Sequence, residues 1–197
     1  MDTFDFSYPH TEAPIKIEDF DHDFTIEVIS STEIYVNLLK TLFDFDSIKA
    51  LLSRKDFKFV YDGLSGVAGP YAKEIFHKEF NVPESCLYGC DPAEDFNGGH
   101  PDPNLTYAEN LVKVMGVTKE GRCVAEESTP DFGAAADGDA DRNMVLGKGF
   151  FITPSDSLAV ITANHACIPY MKEITGVARS MPTSGAADIV AKDLGIE

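Results

Sequence analysis

The 197-residue chain carries 33 Asp and Glu against 16 Lys and Arg, a formal net charge of −17. That balance excludes the polyanions that basic proteins recruit, so neither nucleic acid nor an anionic membrane surface is expected as a partner. Hydrophobic content of 44% without low-complexity stretches gives a globular chain able to bury a core, and no apolar run approaches the length of a membrane span.

Residues 1–24, rich in Asp, Glu, His and Pro, have no sustained period and read as an irregular tail or linker. Residues 25–29 (TIEVI) read as a short strand. Ser30 and Glu33 then make a capping box for a helix that turns Ile34, Leu38, Leu39 and Leu42 inward. Asp46 suits the cap of a second helix with Ile48, Leu51 and Leu52 inward. Residues 57–61 (FKFVY) read as a strand, followed by the Gly-rich turn 62–69 and a helix with Pro70 at its first position. Tyr71, Ala72, Ile75, Phe76 and Phe80 form the apolar face of that helix.

Residues 81–104 are irregular, broken by Pro83, Pro92, Pro101 and Pro103, and a helix is expected from about Thr106, where Glu109 completes a second capping box. Residues 132–137 (FGAAAD) read as a small-residue strand, and residues 144–146 and 150–153 as strands around Gly147 and Gly149. A nearly all-apolar helix over 155–171 is expected to be buried between layers. Residues 177–181 then read as a strand and 186–194 as a helix stopped by Gly195. This alternation predicts a three-layer α/β domain, with the last βα unit opening a second one.

Four cysteines, Cys86 and Cys90 spaced C-x3-C and Cys123 and Cys167 alone, fit neither a zinc framework nor a disulfide scaffold. The acidic opening Met1–Phe6 has no apolar segment of a signal peptide. Reduced thiols and cytoplasmic location are therefore expected.

The strongest chemical signal is Asp137-Gly-Asp139-Ala-Asp141-Arg142. Three carboxylates within five residues repel one another by roughly a few kcal/mol at an effective dielectric of about 20. Their alternate spacing lets all three turn to one point, where a cation relieves the repulsion. Hard oxygen donors select Mg²⁺, Mn²⁺ or Ca²⁺ over zinc. A calcium EF-hand fails on register, because its glycine position holds Arg142 and its bidentate Glu position holds Lys148. An aspartyl-phosphate nucleophile of the Asp-x-Asp-x-Thr type fails because Arg142 follows where a small residue is required. Three aspartates leave coordination positions for water and a phosphate oxygen, as Mg²⁺ prefers, and Arg142 adds a cationic handle for the phosphate.

At these residues the chain resembles the phosphoglucomutases of the α-D-phosphohexomutase family. The resemblance is carried by FGAAADGDADRNMVLGKGFFITPSDS over 132–157, DGLSGVAGPYAKEIF over 62–76, DPAEDFNGGHPDPNLTYAENL over 91–111 and GVARSMPTSGA over 176–186. It departs at Ala140, where many members have glycine, and over 118–130, which reads as a variable insertion.

The resemblance implies an α/β/α second domain with a mixed sheet over 25–172, and over 173–197 the opening βα unit of a third domain. It implies a phosphotransferase-type isomerase that interconverts glucose 1-phosphate and glucose 6-phosphate through glucose 1,6-bisphosphate. Asp137, Asp139 and Asp141 would be the Mg²⁺ ligands, and Arg142, with Asp141, would meet the transferring phosphate. The family's phosphoserine loop reads Thr-Ala-Ser-His-Asn-Pro, and no Ser-His-Asn occurs here, so no catalytic nucleophile is expected in this chain. Glu126-Glu127-Ser128 spells the family's sugar-reading tripeptide outside its context and reads as coincidence. The chain is accordingly expected to be a fragment, inactive alone, whose partners are the phosphosugar and domains I, III and IV of the same protein. The rival is a non-catalytic interaction protein of the same fold.

Weaker signals receive plain structural readings. The glycines at 63, 66 and 69 serve a tight strand-to-helix connection rather than a nucleotide, and His100 shapes its loop. His165 is expected in the core, and Lys148 and Arg179 in surface or interdomain pairs.

Overall fold

The structure, a computed structural model, describes residues 29–197. The tail over 1–24 and most of the strand expected over 25–29 lie outside the described residues. Five strands form one mixed sheet in the order β2-β1-β3-β4-β5. They are β1 (Phe59–Asp62), β2 (Leu87–Tyr88), β3 (Phe132–Ala136), β4 (Asn143–Gly147) and β5 (Phe150–Ile152). β1 runs parallel to both β2 and β3, whereas β3, β4 and β5 are antiparallel. The carboxyl ends of the three parallel strands therefore share one edge, where open α/β sheets bind their ligands.

Two helical layers cover the sheet. On one face lie α1 (Ser31–Leu42), α2 (Phe45–Leu52) and α3 (Ala68–Ala72), the last continuing as a wider π-helical stretch over Lys73–Glu79. Phe59, Phe80 and Val82 form the core of this layer, joined by Phe45, Ile48, Leu52 and Phe76. Phe59 and Phe132, register partners on β1 and β3, stack with ring centroids 5.9 Å apart. On the other face α4 (Glu109–Val114) sets Leu111, Val112 and Met115 against Val60, Ala135, Met144 and Leu146. Burial of Leu111, Met115 and Leu146, all fully enclosed, contributes about 1.5–3 kcal/mol each. The small residues of β3 admit this helix: a Cβ on Gly133 would stand 2.6 Å from the Met115 sulfur.

Local signals set most boundaries. Ser30 caps α1 as expected, its Oγ accepting the Glu33 N–H at 3.3 Å. The inward face differs: Val36 is the buried residue, while Ile34 and Leu38 are 56% and 53% exposed. The cap of α2 is Asp44 rather than Asp46, because its carboxylate takes both the N–H and the hydroxyl of Ser47; Leu51 is exposed. Pro70 stands third in α3, where its missing N–H still leaves no helical bond unmade. α4 begins at Glu109, without a side-chain cap. Asn104 Oδ1 holds the turn before it, accepting the N–H groups of Thr106 and Tyr107 at 2.8 and 3.0 Å.

β2 carries no sequence signal of its own, being two residues inside the segment expected to be irregular and too short to show a period. The apolar run over 155–171 splits into α5 (Ser157–Ala163) and two 3₁₀ turns, with Pro169 barring a continuous helix. Only Ala159 and Thr162 of α5 are buried. α5 packs on α6 (Ala186–Leu194), which ends at Gly195 in the left-handed region, φ 70°. Residues 177–181 do not form the expected strand. Val177 N–H donates to Glu197 O and Glu197 N–H to Thr175 O, and these two bonds are too few for a ladder.

Candidate metal centre

The loop 137–142 joins β3 to β4, whose last paired residues are Ala136 and Asn143. Asp137 N–H donates to Arg142 O at 3.1 Å and Ala140 N–H to Asp137 O at 3.2 Å, so the loop is a closed turn. Ala140 reaches it with φ 65°, a conformation that glycine takes freely and alanine does not. Each of Asp137, Asp139 and Asp141 offers one carboxylate oxygen to a cluster whose members all lie within 4.8 Å of one another. Asp137 forms the 1%-exposed floor, while Asp139 and Asp141 face the solvent.

Arg142 belongs to the same construction. Its backbone N–H donates to Asp137 Oδ1 at 3.0 Å and its Nε–H to Asp137 Oδ2 at 2.8 Å. The guanidinium also lies 3.4 Å from Asp102 and 3.5 Å from Asp141, and its side chain remains 63% exposed. Burial opposes ionisation of Asp137, but the Arg142 N–H and guanidinium prevail and hold its carboxyl below the usual value. Asp141 moves the other way: its contact with the Asp137 carboxylate, then the charge of Asp139, pushes its carboxyl up. The donor set thus fits a hard divalent cation. It has oxygen ligands only, one of them fixed at depth, and a crowding of negative charge that a cation relieves.

Neighbouring segments hold the loop. Gly138 N–H donates to Pro101 O at 3.2 Å, and Val67 N–H donates to Gly138 O at 3.0 Å. Gly66 meets the loop so closely that a Cβ there would lie 2.7 Å from Gly138 O. The glycine turn is therefore a tight connection, as expected, and also a wall of the site. Nothing local in the sequence marks Asp102, Phe96 and Pro101 as site residues. The run 91–111 that contains them matched the family as a string, and nothing in their spacing announces contact with residues some forty positions on.

The remaining candidates fall outside the cluster. His100 stacks edge-on against Tyr107, with centroids 4.0 Å apart, in the loop it was expected to shape. His165 is half-buried, its Nδ1 3.0 Å from Met171 O. Lys148 donates to Glu127 O, and Arg179 pairs with Asp188 through two bonds of 2.6 Å.

Comparison with known proteins matches the chain at three levels. Residues 33–149 match the pattern of the phosphoglucomutase/phosphomannomutase alpha/beta/alpha domain II. A probable cytoplasmic phosphoglucomutase 2 of Arabidopsis thaliana is 59% identical over 176 residues, which are 88% of this chain and 30% of that protein. A cytoplasmic phosphoglucomutase of Mesembryanthemum crystallinum is 58% identical over 179 residues, 90% of this chain and 30% of that one. Among solved structures, the open form of the exocytosis-sensitive phosphoprotein pp63/parafusin of Paramecium, a phosphoglucomutase, is similar at 50% identity and a TM-score of 0.86, over 95% of this chain and 33% of that one. The chain thus spans about a third of the length of the relatives it matches.

Proposed function

Because the chain belongs to the phosphoglucomutase/phosphomannomutase family, we propose that it is the cation-holding part of a phosphoglucomutase, a phosphotransferase of the isomerase class acting on glucose phosphates. The single observation that carries the proposal is the convergence of Asp137, Asp139 and Asp141 within 4.8 Å, with Arg142 in the same turn. In this reading residues 25–172 form domain II and residues 173–197 open domain III. Domains I, III and IV of the same protein would complete the site, and the names of the plant relatives support a cytoplasmic location.

Bound Mg²⁺ would supply Lewis-acid stabilisation of charge on a phosphoryl group in transit. Asp137, Asp139 and Asp141 would hold it, and their three oxygens leave positions for water and a phosphate oxygen. Arg142 keeps its Nε on Asp137 and presents the rest of an exposed guanidinium to the cleft, where it can donate to the phosphate. The nucleophile would come from another part of the complete protein, because no Ser-His-Asn sequence occurs in these 197 residues. Glucose 1,6-bisphosphate would be the intermediate of the complete enzyme.

Calorimetric titration with Mg²⁺ or Mn²⁺ tests the reading. The chain should bind weakly, and Asp139→Ala should abolish the heat; equal heats for both proteins would remove the site. The 197-residue chain alone should not convert glucose 1-phosphate, even with Mg²⁺ and glucose 1,6-bisphosphate. A second reading, a non-catalytic interaction protein, draws on the description of the Paramecium relative as an exocytosis-sensitive phosphoprotein. A Ser-His-Asn-Pro loop encoded upstream of residue 1 decides for the enzyme.

A further inference from the structure

The cluster is built from a six-residue turn whose position depends on two other turns packed against Gly138. One brings the backbone of Gly66; the other brings the Phe96 ring, which a Cβ on Gly138 would meet at 3.0 Å. Both supporting turns are unusual in the same way. Leu64 and Ser65, with φ of 48° and 57°, and Phe96 and Asn97, with φ of 52° and 54°, are successive non-glycine residues in the left-handed region. Such pairs persist only where surrounding contacts determine them. Here the contacts run between the two turns. Asn97 Nδ2 donates to Ser65 Oγ at 2.9 Å, and Ala93 N–H donates to Ser65 O at 2.9 Å. Ser65 is buried and its own N–H donates to Gly89 O at 2.8 Å, so the hydroxyl that Asn97 grips is anchored to the end of β2. Asn97 in turn is fixed by its N–H to Asp95 Oδ1 at 3.0 Å.

We infer that Ser65 and Asn97 form a latch that positions the acidic turn. The amide-to-hydroxyl bond ties the Phe96 turn to the Gly66 turn, both turns pack against Gly138, and Asp137 and Asp139, its immediate neighbours, are held at the separation a cation needs. Ser65 and Asn97 hydrogen-bond to each other, Asp95, Gly89 and Ala93 rather than to Asp137, Asp139 or Asp141. This rests on the reading of Asp137, Asp139 and Asp141 as a divalent-cation centre, and the latch is a property of positioning residues around it.

The test is Mn²⁺ affinity of the 197-residue chain, read from the electron paramagnetic resonance signal of free Mn²⁺, for wild type, Ser65→Ala, Asn97→Gly and the double variant. Asn97→Gly is the informative change, because glycine accepts φ 54° and only the amide is lost. Residues that orient metal ligands typically change affinity by about 10-fold or more when removed. Each single variant should therefore weaken Mn²⁺ by about 10-fold, the double variant should be no weaker than the singles, and Asn97→Gly should melt at the wild-type temperature. Wild-type affinity in Asn97→Gly, or single effects that add in the double, would overturn the latch. So would a loss of affinity that merely follows a loss of thermal stability. No binding by wild type itself is a separate failure, which removes the cation reading and the latch with it.

Discussion

Asp137 and Arg142 bind each other twice, once through the Arg142 backbone N–H at 3.0 Å and once through its Nε–H at 2.8 Å. The residue that opens the loop is thus fixed by the residue that closes it. One end of the pair is buried and the other exposed, so the same contact that seats a carboxylate at depth leaves most of a guanidinium facing solvent.

The pair gives stability an acid-sensitive component. Arg142 holds the folded Asp137 carboxyl below its unfolded value of about 3.9, so its stabilisation is fully present above that pH and is lost as pH falls through the lower folded value. Asp137→Asn removes the component. The variant should be less stable than wild type at pH 7, though by less than the pair alone would give, because it also loses the repulsion toward Asp141. The gap should narrow below about pH 4. Urea midpoints measured from pH 7 down to about pH 3 check this, and a gap that stays constant with pH would contradict it.

Gly66→Ala should be among the most damaging single changes near the site. The added Cβ would stand 2.7 Å from Gly138 O and 2.8 Å from Gly138 Cα, and backbone cannot swing aside as a side-chain end does. Overpacking of this kind typically costs about 1–3 kcal/mol, and the loop should shift with it. Gly185→Ala is the control, since its Cβ would meet nothing within 4 Å and its φ of −62° suits any residue. Thermal unfolding and Mn²⁺ titration of both variants decide the matter. Equal behaviour of the two would mean that the close approach carries no strain.

The contrast between these glycines marks how far the sequence could be read. Elements with a local cause were legible: Ser30 capping α1, the small-residue strand that ends one residue before Asp137, Gly195 stopping α6. The cluster itself was legible because its three carboxylates are crowded into five residues. Much of what failed depended on distant partners. β2 exists because Leu87 and Tyr88 pair with Tyr61 and Asp62, not because two residues carry a pattern. Asp102 reaches Arg142 from a loop forty residues earlier, and the Ser65 hydroxyl meets Asn97 across two connections. The exposed face of α1, with Ile34 and Leu38 outward, shows the same limit, since periodicity marks an apolar stripe but not what covers it.

Ala140→Gly should stabilise the chain. Alanine at φ 65° carries the left-handed penalty of roughly 1–2 kcal/mol, which exceeds the roughly 0.5–1 kcal/mol of extra backbone entropy that glycine loses on folding. A net gain of about 0.5 kcal/mol is expected, with no loss of Mn²⁺ affinity because no ligand changes. Denaturant unfolding of the two proteins provides the check, and a lower midpoint for the glycine variant would count against a relaxed left-handed turn.

Arg142 separates a phosphate-handling site from a bare cation site. In a full-length enzyme containing this chain, Arg142→Ala leaves the backbone N–H on Asp137 Oδ1, so the buried ligand keeps one of its two anchors. It also removes a positive charge beside three carboxylates, which relieves competition with the cation. Metal affinity should therefore be unchanged or slightly higher. Turnover should fall by roughly 10²-fold or more, the scale on which donors aimed at developing phosphoryl charge contribute. Arg142→Lys should recover only part of the rate, because an ammonium cannot keep Asp137 on one donor while offering a planar fork to phosphate. Titration of Mn²⁺ alongside kcat at saturating metal distinguishes the alternatives. Weakened metal with normal turnover would make Arg142 a support for the loop, and its role toward phosphate would have to be abandoned.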